Sequence, residues 1–404
     1  MIKTIIHKLY ESRHFWRTAT FSEVAELYAS RTLRTMAIYI GGGFASVYLF
    51  EEGLSLMVIV SYWACYYLLK VPATFIAAPV TAYFGPKHSI LFSNILYIPA
   101  MIALGFYPQL GFASVLIWGL LNCMSMALYQ VAYLVDFSQV KSMEHGGKEL
   151  GYMNILERVA IGISPLIGGV IALFYGAPSI MWVSAAVFLV ASLPLMQTLE
   201  PTPTRQKIRI EGFPWRYHRS SIVSQIGLGF DVLASGTVWS LFIAVVILPG
   251  AGDELYVTLG ALSSVTILVA IVTSYTFGRL IDRRRGGDLL NISTIANAII
   301  HAFRPFVTTP AGVVGVNVTN EVSTTGYKLA YTRGLFDTAD ISGQRVFYLV
   351  VTEASGNMGA SIAAFILVGL LYFLPDITAM QLFYFIVALV VLLITTVHFR
   401  IYRR

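Results

Sequence analysis

The chain of 404 residues is 57% hydrophobic and only 12% charged, with a mean hydropathy of +0.72, whereas soluble domains carry about 25% charged residues. This composition excludes a water-soluble fold, and at about 34 residues per span and turn the length accommodates twelve membrane helices. The formal charge of +6 calls for no nucleic acid or other polyanion, because the basic residues lie in short gaps between apolar runs, where lipid headgroups and topology account for them.

Residues 1–34 are polar, carry Lys3, Lys8, Arg13, Arg17, Arg31 and Arg34, and contain neither an apolar h-region nor a small-residue cleavage site. They read as a cytoplasmic amphipathic segment rather than a signal peptide. Within it, Thr20-Phe21-Ser22-Glu23 has the pattern of a capping box opening a helix through Leu27 and Leu33, expected to anchor at headgroup level. Apolar stretches long enough to cross about 30 Å of hydrocarbon follow near 35–51, 54–84, 88–107, 110–136, 149–175 and 178–198. After a polar linker at 199–220 the pattern resumes near 221–249, 255–281, 287–306, 309–332, 344–374 and 377–399, the ninth and tenth spans being rich in Asn, Thr and Ser.

All but four of the 27 Lys and Arg residues fall at alternate gaps, the exceptions being Lys70, Arg158, Arg304 and Lys328. By the positive-inside bias both termini are expected to be cytoplasmic. Two six-helix bundles, 35–198 and 221–404, are the arrangement expected of a transporter built from parallel repeats. At an offset of 196, Gly147, Tyr152 and Glu157 in the fifth span fall on Gly343, Tyr348 and Glu353 in the eleventh.

Two stretches carry a family resemblance. Gly278-Arg279-Leu280-Ile281-Asp282-Arg283-Arg284-Arg285, between spans eight and nine, resembles the cytoplasmic Gly-x-x-x-Asp-Arg loop of the major facilitator superfamily. Gly permits close helix approach, Asp complements a neighbouring helix N-terminus and Arg binds carboxylates, a combination suited to latching a cytoplasmic gate. The first-half counterpart, Ala78 to Lys87, has Ala82 where the motif has Asp. In the fifth span Ser164-Pro165-Leu166-Ile167-Gly168-Gly169 is similar to the Gly-Pro-x-x-Gly-Gly signature of exporters in that superfamily, with Ser164 in place of its first Gly; small residues and Pro let such a helix bend and pack closely. The resemblance implies an all-α membrane protein of twelve transmembrane helices in two pseudo-symmetric bundles, with spans one, four, seven and ten lining a central cavity. The fourth span has Asn122 and Gln130 but no Arg, where proton antiporters of the superfamily often carry one.

A charge near the bilayer centre costs at least about 2.5 kcal/mol, so each intramembrane ionisable residue is a functional candidate. Asp231, Glu321 and Glu353 lie about nine to twelve residues beyond the starts of their spans, roughly 15 Å deep at 1.5 Å per residue. Asp231 and Glu321 are the preferred substrate or proton residues. Lys328 follows Glu321 by seven residues and can share its face, whereas adjacent Glu157 and Arg158 point about 100° apart and need partners on other helices. Lys70 is expected to snorkel or to meet a carboxylate. Tyr39, Asn122 and Gln130 are candidate polar contacts of the cavity. Cys65 and Cys123 form no disulfide framework, and neither His218 nor His301 has a second ligand at zinc spacing, so no metal and no cofactor are expected.

These features point to a secondary transporter that moves a small amphipathic or hydrophobic organic solute by alternating access, in the export direction and coupled to protons. Its expected partners are that solute, protons and membrane lipids, and it is expected to act as a monomer in a bacterial or archaeal cytoplasmic membrane. A non-transporting receptor or scaffold on the same fold is the alternative. No nucleophile elbow, Walker loop or HExxH occurs, which argues against an enzyme.

Overall fold

A computed structural model describes residues 21–140, 146–196, 208, 210–250, 254–283 and 285–402, with side chains from residue 29 onward and outside 136–154. Thr20 of the capping box lies outside the described residues, as do Gly147 and Tyr152 of the repeat match at the level of side chains. Among the described residues every regular element is helical. Helix α1 (Phe21–Ile40) continues through a 3₁₀ turn at Gly42–Phe44 into α2 (Ala45–Glu51). Then come α3 (Leu56–Phe84), α4 (Pro86–Gly105), α5 (Tyr107–Leu110), α6 (Phe112–Val140), α7 (Gly146–Tyr175) and α8 (Ala177–Ser192). The chain resumes with α9 (Trp215–Leu233), which runs on through two π-helical segments, Ala234–Val238 and Ile243–Ile247, on either side of α10 (Trp239–Phe242). Helices α11 (Glu254–Ser264), α12 (Thr266–Asp282), α13 (Gly286–Phe303), α14 (Pro310–Ile341), α15 (Arg345–Phe373) and α16 (Asp376–Val391) complete the order.

Among the described residues, 10 helices are long and apolar enough to cross a membrane. The two other long helices, α13 and α14, correspond to the expected ninth and tenth spans. Their lower hydropathy has a physical reason: Ser293, Thr294, Asn297 and His301 on α13 and Glu321, Ser323, Thr324 and Thr325 on α14 are buried among neighbouring helices. The reverse holds on the outside, where large apolar side chains such as Leu116, Leu268, Leu389 and Phe373 are exposed. Apolar side chains facing outward and polar ones facing inward suit a chain solvated by lipid.

Tight turns join the helices. Gly85, at φ +91°, links α3 to α4, and Gly343, at φ +71°, links α14 to α15; both lie in the left-handed region where a Cβ is strained. Helix α4 packs on α6 and α8, and α1 on α7 and α8. In the C-terminal part α9 packs on α15, and α13 on α14 and α16. Among the described residues the most extensive contacts between the N-terminal and C-terminal helices are those of α3 with α15 and of α7 with α11 and α12.

The structure corrects the placement of three basic residues expected in loops, one of them Arg333, which lies inside α14 and is buried at 8% exposure. Helix α1 runs unbroken through position 34, so Arg34 is not a loop residue but is buried at 1% exposure. Lys87 lies in the first turn of α4 and is buried at 3%.

Candidate functional site

Helix α9 carries Asp231 into a pocket closed by α13 and α14, where its side chain has no exposure. A bare carboxylate there would cost several kcal/mol in lost hydration, so every lone pair needs a donor. Oδ1 accepts from Asn297 Nδ2 at 2.9 Å, from Ser235 Oγ at 3.0 Å and from His301 Nε2 at 2.9 Å. Oδ2 accepts from the Tyr327 hydroxyl, and the Lys328 ammonium stands 3.9 Å from it. Because a carboxylate only accepts, His301 carries its proton on Nε2, and its Nδ1 has no partner among the described residues. Asn297 and His301 are four residues apart on α13 and so share the face turned to α9.

Arg304 closes this cluster at the end of α13. The sequence places it near a loop; the structure buries it at 1% exposure. Nη1 donates to the Ala234 carbonyl at 3.1 Å, and Nη2 to Ser235 Oγ at 3.2 Å and Asn320 Oδ1 at 3.0 Å. The Trp239 and Tyr384 rings lie 4.8 and 5.5 Å from its guanidinium carbon, which substitutes for part of its lost hydration. The same Trp239 donates its indole N–H to Asn317 at 2.8 Å.

A second set of charges joins helices from the two ends of the sequence. Arg158 on α7 pairs with Glu321 on α14 at 3.0 Å, and Thr325 Oγ1 donates to the other Glu321 oxygen at 2.8 Å. Lys70 on α3 meets Glu353 on α15 at 3.6 Å. One turn further along, Asn357 reaches Thr74 at 3.3 Å, and Ser361 Oγ donates to the Ala64 carbonyl at 2.9 Å. Glu157 turns the other way and takes Arg31 of α1, with Nε at 2.7 Å and Nη2 at 2.5 Å; the Tyr133 ring lies 3.8 Å from that guanidinium. Tyr39 on α1 is within electrostatic reach of Arg158, Glu157 and Glu321.

The expected candidates therefore divide. The structure brings together Tyr39, Glu157, Arg158, Glu321, Lys328 and Asp231, and a separate pair holds Glu353. Adjacent Glu157 and Arg158 find partners on different helices, as their 100° offset requires. Lys328 turns to Asp231 and not to Glu321 on its own helix. Among the described residues Asn122 is buried with its Oδ1 unpartnered, Gln130 is half-buried, and neither is a partner of these carboxylates. Sequence reasoning missed His301, Asn297, Ser235 and Tyr327. The polar stripe of α13, at 293, 294, 297 and 301, signalled Asn297 and His301; no comparable pattern marks Ser235 or Tyr327.

The two motifs occupy distinct places. Ser164 donates to the Ala160 carbonyl at 2.6 Å, and Pro165, Gly168 and Gly169 lie where α7 is pressed against its neighbours. A Cβ on Gly169 would come within 2.6 Å of the Tyr256 carbonyl oxygen, and one on Gly168 within 2.5 Å of that of Ile40. In the loop motif Gly278 is buried, Arg279 lies 4.2 Å from the centre of the Tyr275 ring, and Asp282 ends α12 with Arg283 directly after it. Arg285 precedes α13, and Arg284 lies outside the described residues.

Among solved structures the chain is similar to FucP, a major facilitator superfamily transporter in the outward conformation, at 13% identity and TM-score 0.64 over 92% of this chain and 97% of that one. It is similar to the E. coli fucose:proton symporter FucP at 14% identity and TM-score 0.63, covering 92% of this chain and 97% of that one. The human organic anion transporter MFSD10 (TETRAN) is similar at 10% identity and TM-score 0.68, over 93% and 98% of the respective chains. At such identities these likenesses show the fold. No curated protein matches the chain. A family model described as Major Facilitator Superfamily matches residues 27–327, three quarters of the sequence, and with ten helices among the described residues long and apolar enough to cross a membrane, the chain belongs to the Major Facilitator Superfamily of multi-pass membrane transporters.

Proposed function

We propose that this protein is a secondary active transporter moving a small amphipathic organic solute by alternating access. In this reading twelve transmembrane helices form two bundles, 35–198 and 221–404, joined by a cytoplasmic linker at 199–220, with both termini cytoplasmic. The observation that carries it is the chemistry of the contacts between the N-terminal and C-terminal helices. Arg158–Glu321 and Lys70–Glu353 are ion pairs between side chains that keep partial exposure, so water or a solute can replace either partner as the bundles rock. The glycine contacts of Gly168 and Gly169 give the motion a closely packed fulcrum. Asp231, with His301 and Tyr327, is the assigned proton site, and the α7 motif favours export.

With Cys65 and Cys123 replaced by Ser, single cysteines at both ends of the spans formed by α1–α2, α6, α9 with α10 and its flanking π segments, and α14 are labelled from each side at pH 5.5 and 8. Reciprocal opening and closing that shifts with pH, and no longer shifts in Asp231→Asn, is expected. A fixed pattern would remove the transporter in favour of a receptor or scaffold. Alternation indifferent to pH would remove the proton.

A further inference from the structure

We propose that the transported solute is an organic anion carrying one negative charge, its anionic group held between the Arg158 guanidinium and the Lys328 ammonium; this names the cargo of the transporter proposed above and rests on that reading.

The argument starts from Lys328. The one carboxylate within 4 Å of it among the described residues, Asp231, stands 3.9 Å away, well beyond the 2.7–2.9 Å or so of a charged hydrogen bond. Asp231 does not need it: four neutral donors already reach the two oxygens. Lys328 makes no hydrogen bond among the described residues, and its side chain is 39% exposed beside an aspartate that has no exposure. At membrane depth such an ammonium borders an accessible space with its donors unused.

Arg158, 16% exposed, is the second cation. It lies within electrostatic range of Lys328, and its pair with Glu321 uses one Nη1 contact at 3.0 Å, leaving the rest of a five-donor fork whose planar geometry matches an oxyanion. Local charge is unbalanced. Lys328, Arg158 and Arg304 stand against Asp231 and Glu321, three cationic groups against two carboxylates. His301 adds no negative charge in either protonation state. In a lipid-surrounded interior an unmatched positive charge is costly, and a monoanionic cargo cancels it, whereas a cationic cargo would add to it. Tyr39, in reach of Arg158, and Tyr67, in reach of Tyr39 and Glu353, supply ring surface for the organic body.

The test uses the full-length protein in nanodiscs and three probe series that share a body: benzoate, benzamide and benzylamine; 1-naphthoate with its amide and amine; octanoate with its amide and amine. Binding is read by thermal stabilisation and by protection of a single cysteine beside Lys328 from labelling. At least one carboxylate is expected to bind tenfold or more tightly than its amide, and its amine not to bind. Lys328→Gln should weaken that carboxylate at least tenfold and abolish the preference over the amide, with Lys328→Arg restoring both. Lys328→Arg also reports on folding, since a collapsed variant would not recover. Equal or tighter binding of amides or amines, no binding by any carboxylate, or an unchanged preference in Lys328→Gln would each overturn the assignment. The cysteine accessibility experiment stands apart from these outcomes: alternation with an amine preference sinks the anion alone, and absence of alternation sinks the transporter.

Discussion

The Arg158–Glu321 pair yields a quantitative expectation because its two members are not equivalent. At 3.0 Å and an effective dielectric constant of about 20, their Coulomb attraction is about 5.5 kcal/mol. The side chains retain 16% and 10% exposure, so solvent screening and the desolvation cost leave a coupling of about 2 kcal/mol in a double-variant cycle. The single variants should differ. Glu321→Gln leaves Arg158, Lys328 and Arg304 facing Asp231 alone, whereas Arg158→Gln leaves two cations and two carboxylates. We expect Glu321→Gln to cost about 3 kcal/mol, Arg158→Gln about 2, and the double variant no more than Glu321→Gln alone. At about 2 °C per kcal/mol for a chain of this size, thermal unfolding in nanodiscs should show losses of about 6, 4 and 6 °C. Strictly additive losses, or an Arg158→Gln variant worse than Glu321→Gln, would refute the charge reasoning.

Three further outcomes follow from single contacts. Tyr327→Phe removes one of the four neutral donors to Asp231 and should cost about 1–2 kcal/mol, read as a thermal shift that an Asp231→Asn background reduces by at least half. Gly169→Ala places a Cβ within 2.6 Å of the Tyr256 carbonyl and should cost about 1–3 kcal/mol, while Gly315→Ala, with nothing within 4 Å, should be neutral or mildly stabilising in the same assay. Arg34 donates to Asn94 at 2.6 Å and Ser93 at 3.2 Å and lies 4.0 Å from the Tyr129 ring centre; Arg34→Lys should lose about 1–2 kcal/mol despite keeping the charge, because an ammonium cannot span these acceptors. Equal stability of Arg34→Lys and the parent protein would contradict that view of the site.

The apolar spans were legible because lipid contact forces outward side chains to be apolar whatever the interior does. Charged candidates were legible for the complementary reason: Asp231, Glu321, Glu353, Glu157 and Arg158 interrupt runs that tolerate no idle charge, and each proves to have a named partner. Asn297, His301 and Tyr327 were not, because neutral polar residues are common in membrane helices and only the third dimension shows four of them converging on one carboxylate. Basic residues near span ends misled in a consistent direction. Counting Arg34 as a loop residue follows from topology statistics, yet Asn94, Ser93 and an aromatic ring on other helices provide it with a solvent shell that no local window reveals. Arg304 is the same case on the opposite side, solvated by carbonyls and rings instead of water.

The two π-helical segments flanking Trp239–Phe242 give the α9–α10 axis a mechanical property that a regular helix lacks. A wide turn accommodates one residue more than an α turn, and moving that surplus along the axis by one position rotates the side chains passed over by about 100° while the backbone ladder stays closed. Trp239 sits between two such turns, roofing Arg304, whereas Asp231 lies before both. A step of this kind in the second segment, Ile243–Ile247, would leave in place both the carboxylate and Ser235, its donor in the first segment. One continuous helix thus carries the charge cluster at its first wide turn and a second wide turn beyond Trp239 that is not part of that cluster.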